Sequence, residues 1–186
     1  ATLDLSALRV CVNGSEPIRA ESVDAFAEAF APCGFHREAF LPSYGLAEST
    51  LFVSGGGPHR GRIHRVDREG LLHGAVLTGQ QVTHAQFLVG CGACDDAAVV
   101  AIVNPETGQR AAPGRIGEIW VRSPSVADGY WQQPDETTRV FGARISDTGE
   151  GPFLRTGDLG FLADGELVVT GRLKDMIIIR GENYYP

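Results

Sequence analysis

The sequence predicts an α/β protein: a partial α/β layer followed by a mostly antiparallel, β-barrel-like subdomain. Three observations carry that expectation. Residues 8–41 read as strand, helix, strand, at a spacing that suits a βαβ unit with parallel strands. The run Gly55-Gly56-Gly57-Pro58 then interrupts the pattern. From residue 87 onward the chain is a series of short β-branched runs separated by turn signals.

In order, residues 8–12 form an apolar run ending in Asn13-Gly14, read as a buried strand entering a loop. After Pro17, the residues Val23, Phe26, Ala27 and Phe30 fall at i, i+3, i+4 and i+7, one apolar stripe of an amphipathic helix. Pro32 and Gly34 stop that helix, and Ala39-Phe40-Leu41 begins the next strand. Residues 60–86 hold several His and Gly with no clean period and read as loop. Strands are expected at 87–89, 98–103, 118–122 and 166–170, with a tight turn at Asp164-Gly165. Residues 134–141 read as a short helix with Pro134 in its first turn.

Composition excludes several classes. The 186 residues are 43% hydrophobic and 21% charged, ordinary for a globular core. A formal charge of -7 disfavours a nucleic-acid surface, which needs clustered Lys and Arg. No apolar run approaches the roughly 20 residues that span a bilayer. No leader is visible, so a cytoplasmic location is expected. The four cysteines, Cys11, Cys33, Cys91 and Cys94, are too scattered for a disulfide scaffold. Cys91-Gly92-Ala93-Cys94 lacks a second ligand pair and reads as ordinary thiols, with metal or redox chemistry as the alternative.

Three short stretches carry chemistry. In Ser43-Tyr44-Gly45-Leu46-Ala47-Glu48, Tyr44 offers an aromatic face, Gly45 a close backbone approach to a ligand, and Glu48 a hard oxygen for Mg²⁺. In Arg155-Thr156-Gly157-Asp158-Leu159-Gly160, Asp158 on a glycine-flanked turn can accept both hydroxyls of a ribose. In Gly171-Arg172-Leu173-Lys174-Asp175, Arg172 can reach a phosphate or a ribose. Taken singly, each also fits a plain surface turn.

Taken together, their order and separation resemble the adenylate-forming superfamily, with its tyrosine-glycine, TGD and hinge motifs. Gly117-Glu118-Ile119-Trp120-Val121-Arg122 and Asp128-Gly129-Tyr130-Trp131 resemble its GEI…GY segment. Within the superfamily the wording is similar to the fatty acyl-AMP ligases. The pieces that carry this are Asn13-Gly14-Ser15-Glu16-Pro17, Tyr44-Gly45-Leu46-Ala47-Glu48, Pro124-Ser125-Val126-Ala127 and Arg180-Gly181-Glu182-Asn183-Tyr184-Tyr185-Pro186. Ala47 stands where many superfamily members carry Thr, as it commonly does in fatty acyl-AMP ligases.

The resemblance implies four parts. Residues 1–54 end an α/β subdomain bearing the adenine and tyrosine-glycine motifs. Residues 55–90 are a loop region with a family-specific insertion at about 63–86. Residues 91–172 form a β-rich subdomain, and 173–186 hold the hinge and the start of a C-terminal domain. It implies ATP-dependent activation of a fatty acid to acyl-AMP, for transfer to an acyl carrier protein or polyketide synthase. ATP or AMP and Mg²⁺ are the implied cofactors. Gly14, Ser15, Glu16 and Pro17 are expected to line the adenine, with Tyr44 and Gly45 beside it. Glu48 is the catalytic Mg²⁺ ligand, Asp158 holds the ribose, Arg172 holds ribose or phosphate, and Lys174 and Asp175 form the hinge. The phosphate loop and the catalytic lysine are expected outside residues 1–186, so the piece alone is expected to be inactive. An acyl-CoA synthetase piece and a non-catalytic nucleotide-binding or interaction module are the alternatives.

Overall fold

A computed structural model describes residues 3–57, 61–78, 82, 84–94, 96–179 and 182–184. Pro58, parts of the 60–86 stretch, and Arg180, Gly181, Tyr185 and Pro186 lie outside the described residues.

The first unit is β1 (Cys11–Asn13), α1 (Ala20–Phe30), β2 (Phe40–Tyr44) and β3 (Ser54–Gly55). β1 and β2 are parallel, with Cys11 opposite Phe40, and β3 adds antiparallel to β2. The apolar stripe of α1 is as expected. Val23 is buried with Phe35, Ala39 and Phe40, and Phe26 packs its ring on Phe30, Phe35 and Phe40 at 4.5–5.5 Å. Gly34 closes the following 3-10 turn at φ 82°. The first strand is shorter than expected and is not buried: Leu8, Val10 and Val12 are exposed. The cause is local, because Leu8 N–H donates to Leu5 O and folds residues 5–8 into a turn, so pairing with β2 starts only at Cys11.

The stretch expected as loop contains regular structure. β4 (Ile63–Asp67) leads into α2 (Arg68–Leu72), and β5 (Ala85–Val89) pairs antiparallel with β4. Asp67 caps α2 by accepting from Gly70 N–H at 2.8 Å. The inward positions of β4 are His64 and Val66. A histidine at an inward position conceals the alternation on which a strand is recognised.

The remaining chain supplies β6 (Val99–Val103), β7 (Gly117–Arg122), α3 (Pro134–Phe141), β8 (Leu154–Ala163), β9 (Glu166–Arg172), β10 (Ile177–Ile179) and β11 (Glu182–Tyr184). β6 to β9 form one antiparallel sheet in sequence order, and β10 and β11 form a hairpin. β8 turns into β9 at Asp164-Gly165, both at positive φ (50° and 81°), which suits the right-handed twist of a two-residue hairpin. The sheet is antiparallel as expected, but the described strands do not close a barrel. At its β9 side residues 91–92 bond to the strand, through Cys91 N–H to Leu167 O and Leu167 N–H to Gly92 O. Four strands are too few to come round on themselves.

Both faces of this sheet are covered. Ile102, Ile119, Val121 and Leu167 pack with Val53 on one face, and Ala101, Val103, Trp120, Ile145 and Phe153 on the other. The β4–β5 unit docks on β8 and β9 through Val66, Leu71, Phe161 and Val168. Two polar contacts add to it: His64 Nε2 lies 3.2 Å from Glu166 Oε2, and Arg62 pairs with Asp164 at 2.8 Å.

β7 also carries Glu118, only 2% exposed. Arg155 donates to it through Nε and Nη2, the latter at 2.8 Å, and Gly157 N–H donates at 3.2 Å. The Arg155 guanidinium lies over the Trp120 ring, 5.4 Å from its centroid, and its side chain keeps 28% exposure. Deleting the arginine strands a buried carboxylate, whereas neutralising the acid leaves a cation that can reach water. Arg155→Met is therefore expected to cost about 3 kcal/mol and Glu118→Gln about 1–2 kcal/mol. Urea unfolding followed by Trp120 fluorescence measures both, and an equal or smaller cost for Arg155→Met would refute this assignment.

Candidate active site

The C-terminal ends of the parallel strands β1 and β2 lie side by side, the usual ligand edge of an α/β layer. Gly14 follows β1 closely enough to Ser43 that a Cβ on it would sit 2.8 Å from Ser43 O. Ser15, at φ 71°, and Glu16 and Pro17 continue as an exposed loop. Tyr44 ends β2. Gly45 admits a close approach, but the neighbour is the chain itself: a Cβ there would lie 1.4 Å from Leu51 O. On its Cβ side Gly45 serves a tight turn that brings residue 51 back across it.

Tyr44 meets Asp158 although 114 positions separate them, its hydroxyl donating to Oδ2 at 2.7 Å. Arg172 Nε donates to Oδ1 of the same carboxylate at 3.0 Å. Asp158 and Arg172 are cross-strand partners on β8 and β9, which explains how the third motif reaches the second. Asp158 is 6% exposed, and its own N–H donates to Thr156 Oγ1, which in turn donates to Ile119 O. Burial, and then the Asp158 charge, push the Tyr44 phenol far above its ordinary value.

Glu48 lies on the 3-10 turn Ala47–Ser49, four residues beyond Tyr44. Tyr130 donates to its Oε1 at 2.7 Å, and Ala127 N–H donates to its backbone carbonyl at 2.8 Å. Tyr130 is pushed up to about 12 by burial, followed by its bond to Glu48. Lys174 and Asp175 are exposed in the 3-10 turn Leu173–Asp175, between β9 and β10.

The four cysteines are free, burial pushes Cys91 up to about 12 with a further contribution from Glu166, and burial raises Cys94. No described group of three His, Cys, Asp or Glu could hold a metal by itself.

The family model for AMP-binding enzymes matches residues 1–131. The chain belongs to the AMP-binding enzyme family. This AMP-binding chain is 48% identical, over its whole length, to the medium-chain-fatty-acid acyl-carrier-protein ligase JamA of Moorena producens, and covers 32% of that protein. It is 44% identical over its whole length to the long-chain-fatty-acid AMP ligase FadD26 of Mycobacterium tuberculosis, and covers 33% of it. A fatty acid AMP ligase from Legionella pneumophila superposes with a TM-score of 0.85 at 43% identity, over 93% of this chain and 30% of that one. The chain spans about a third of the length of the curated relatives it matches. Among the described residues no helix is long and apolar enough to cross a membrane.

Sequence reasoning selected Tyr44, Asp158 and Arg172, which the fold of this AMP-binding enzyme brings together, but it gave no role to Tyr130, Thr156 or Glu118. Tyr130 and Glu118 stand inside recognised motifs, so the signal was present, but a side chain's partner is not written in its own motif. The raised values of Tyr44 and Tyr130 yield a prediction. The native chain holds two phenolic protons that an unfolded chain releases near pH 10. Their contribution to stability is complete below about pH 10 and is lost as the pH rises toward the folded values. Ultraviolet titration of the native protein is expected to show both tyrosines protonated past pH 10. Asp158→Asn is expected to lower the Tyr44 value only in part, since burial is the larger cause.

Proposed function

We propose that this chain is the nucleotide-facing part of a fatty acyl-AMP ligase, which activates a fatty acid with ATP and passes the acyl group to an acyl carrier protein. The observation that carries the reading is the buried Asp158 carboxylate, aimed at the loop edge of the α/β layer and held by Tyr44 and Arg172. A carboxylate so fixed is a ready acceptor for a ribose diol. Gly14, Ser15, Glu16 and Pro17 form the adjoining exposed loop suited to the adenine, with Tyr44 and Gly45 beside it. Arg172, partly exposed, can also face ribose or phosphate. Lys174 and Asp175 would be the hinge.

Mg²⁺ fits Glu48. One oxygen of Glu48 is taken by Tyr130, the other meets no described donor, and the described residues form no three-ligand cage. Mg²⁺ is commonly held in this way, by one or two carboxylates together with substrate phosphates. When bound, it offsets phosphate charge as the carboxylate oxygen of the fatty acid bonds to the α-phosphorus and pyrophosphate leaves. The residues of this chain bind and orient the nucleotide, and they supply no nucleophile.

The names of JamA and FadD26, a carrier-protein ligase and an AMP ligase, favour a carrier protein over free coenzyme A as the acceptor. A polyketide synthase carrier is one such acceptor, and a cytoplasmic location suits it. Within the region at 63–86, read as the insertion, the described residues form β4 and α2, and Val66 and Leu71 dock on β8 and β9. An element braced in this way can oppose rotation of a C-terminal domain, and an opposing contact of about 3 kcal/mol would cut a thiolation-ready population more than a hundredfold.

Two measurements on the full-length enzyme test this reading. Asp158→Ala is expected to weaken ATP use in pyrophosphate exchange by about 1.5–3 kcal/mol, the range for lost charge-assisted bonds; unchanged ATP dependence would sink the nucleotide assignment. With ATP and a fatty acid, transfer to a phosphopantetheine carrier is expected to outrun transfer to coenzyme A. Efficient acyl-CoA formation would point instead to an acyl-CoA synthetase, and no adenylation at all to a non-catalytic module.

A further inference from the structure

We infer that Tyr130 is a positioning residue for the Glu48 carboxylate, fixing one of its oxygens so that the other is presented to Mg²⁺. The inference rests on the reading of Glu48 as the magnesium-facing group.

Glu48 is badly placed to hold itself still. Its turn is a single 3-10 unit, and the two residues that follow, Thr50 and Leu51, take positive φ of 50° and 80°. A glutamate on such a turn has three rotatable side-chain bonds, while Mg²⁺ demands near-ideal octahedral geometry. The restraint arrives from the segment after β7. Its backbone is tied to the Glu48 turn at several points: Ala127 N–H donates to Glu48 O, Thr50 Oγ1 donates to Ser125 O at 2.6 Å, and Ser49 Oγ lies 3.3 Å from Ser125 Oγ. Tyr130 then reaches back along the same segment to Oε1.

Tyr130 is itself held from the other side. Its N–H donates to Thr137 Oγ1 at 2.9 Å, and its ring meets Phe141 of α3 edge-on at 5.1 Å. The phenol is therefore a strut between α3 and the Glu48 carboxylate, not a freely rotating surface group. Its single O–H is spent on Oε1, and no described residue bonds Oε2. One carboxylate oxygen is restrained and one is left for an ion. The phenol is a hydrogen-bond donor that does not react and need not touch the nucleotide.

The test uses the full-length enzyme with Tyr130→Phe, which keeps the ring against Phe141 and removes only the hydroxyl, and Tyr130→Leu, which removes both. Calorimetry measures binding of a non-hydrolysable ATP analogue across a Mg²⁺ series, and of AMP without metal. Thermal unfolding is followed in parallel. Tyr130→Phe is expected to raise the Mg²⁺ needed for half-maximal analogue binding about tenfold, with metal-free AMP affinity within about twofold of the parent and little change in melting temperature. Tyr130→Leu is expected to match it in Mg²⁺ demand while melting earlier. Loss of AMP binding in step with analogue binding would overturn the inference in favour of a merely structural tyrosine. So would an unaltered Mg²⁺ requirement in Tyr130→Phe, or, if that variant does not fold, in Tyr130→Leu. Glu48→Gln separates the two levels. If it raises the Mg²⁺ demand while the Tyr130 variants do not, only this inference falls. If it leaves the demand unchanged, the magnesium role of Glu48 falls and this inference with it.

Discussion

The carboxylate of Asp158 accepts from Tyr44 on one oxygen and from Arg172 on the other, and these donors come from distant parts of the chain. A buried carboxylate requires such partners, because its desolvation is otherwise uncompensated. The apolar packing around it does the gross work of assembly. Tyr44 and Leu46 of the α/β unit pack against the cluster that Val53 forms with Ile102, Ile119, Val121 and Leu167 of the sheet. Non-directional burial brings the two units together, and the hydrogen bonds to Asp158 then set how far apart β2 and β8 stand.

Beneath that carboxylate sits a second one. Glu118 occupies an inward position on a central strand, where an apolar residue would be cheaper. Its partners explain its presence: Arg155 and the N–H of Gly157 both belong to the irregular start of β8 that carries Asp158, where the pairing with β7 shifts register. Glu118 thus holds this stretch of β8, Thr156 links it to Ile119 O and to Asp158 N–H, and Asp158 faces Tyr44. The GEI and TGD motifs, separate in sequence, are two halves of one hydrogen-bonded support.

Much of the fold could be read from the sequence because period and burial agree there. The α1 stripe, the α3 boundaries at 134–141 and the Asp164-Gly165 turn each follow from local chemistry. The failures share a cause: tertiary partners that no local pattern carries. β4 was concealed because His64 points inward and is satisfied by Glu166 from β9. The first strand was overextended because a turn at residues 5–8 consumes its start. Nothing in the Gly45 motif announces that Leu51 returns across that glycine. In the site, Tyr44, Asp158 and Arg172 stood out by residue type and motif. The Tyr130–Glu48 bond joins positions 82 residues apart and becomes visible only once the strands are in place.

The carboxylates of Asp158 and Glu48 are left in different states by their protein partners. Asp158 has a protein donor on each oxygen, whereas among the described residues Glu48 has one oxygen bonded and one open. A carboxylate offers about four lone-pair sites, so two donors leave Asp158 room for two more. On the proposed reading, a ribose diol can add to Asp158 without displacing Tyr44 or Arg172, and the bound and free sites then differ little in protein geometry. Preorganisation of this kind lowers the ordering cost of binding. It also assigns the two acids different ligands on grounds of chemistry. Asp158, buried and already surrounded by N–H and O–H donors, is suited to further neutral donors such as hydroxyls. Glu48, half-buried and with no donor or cation on its second oxygen among the described residues, is the one suited to a metal ion.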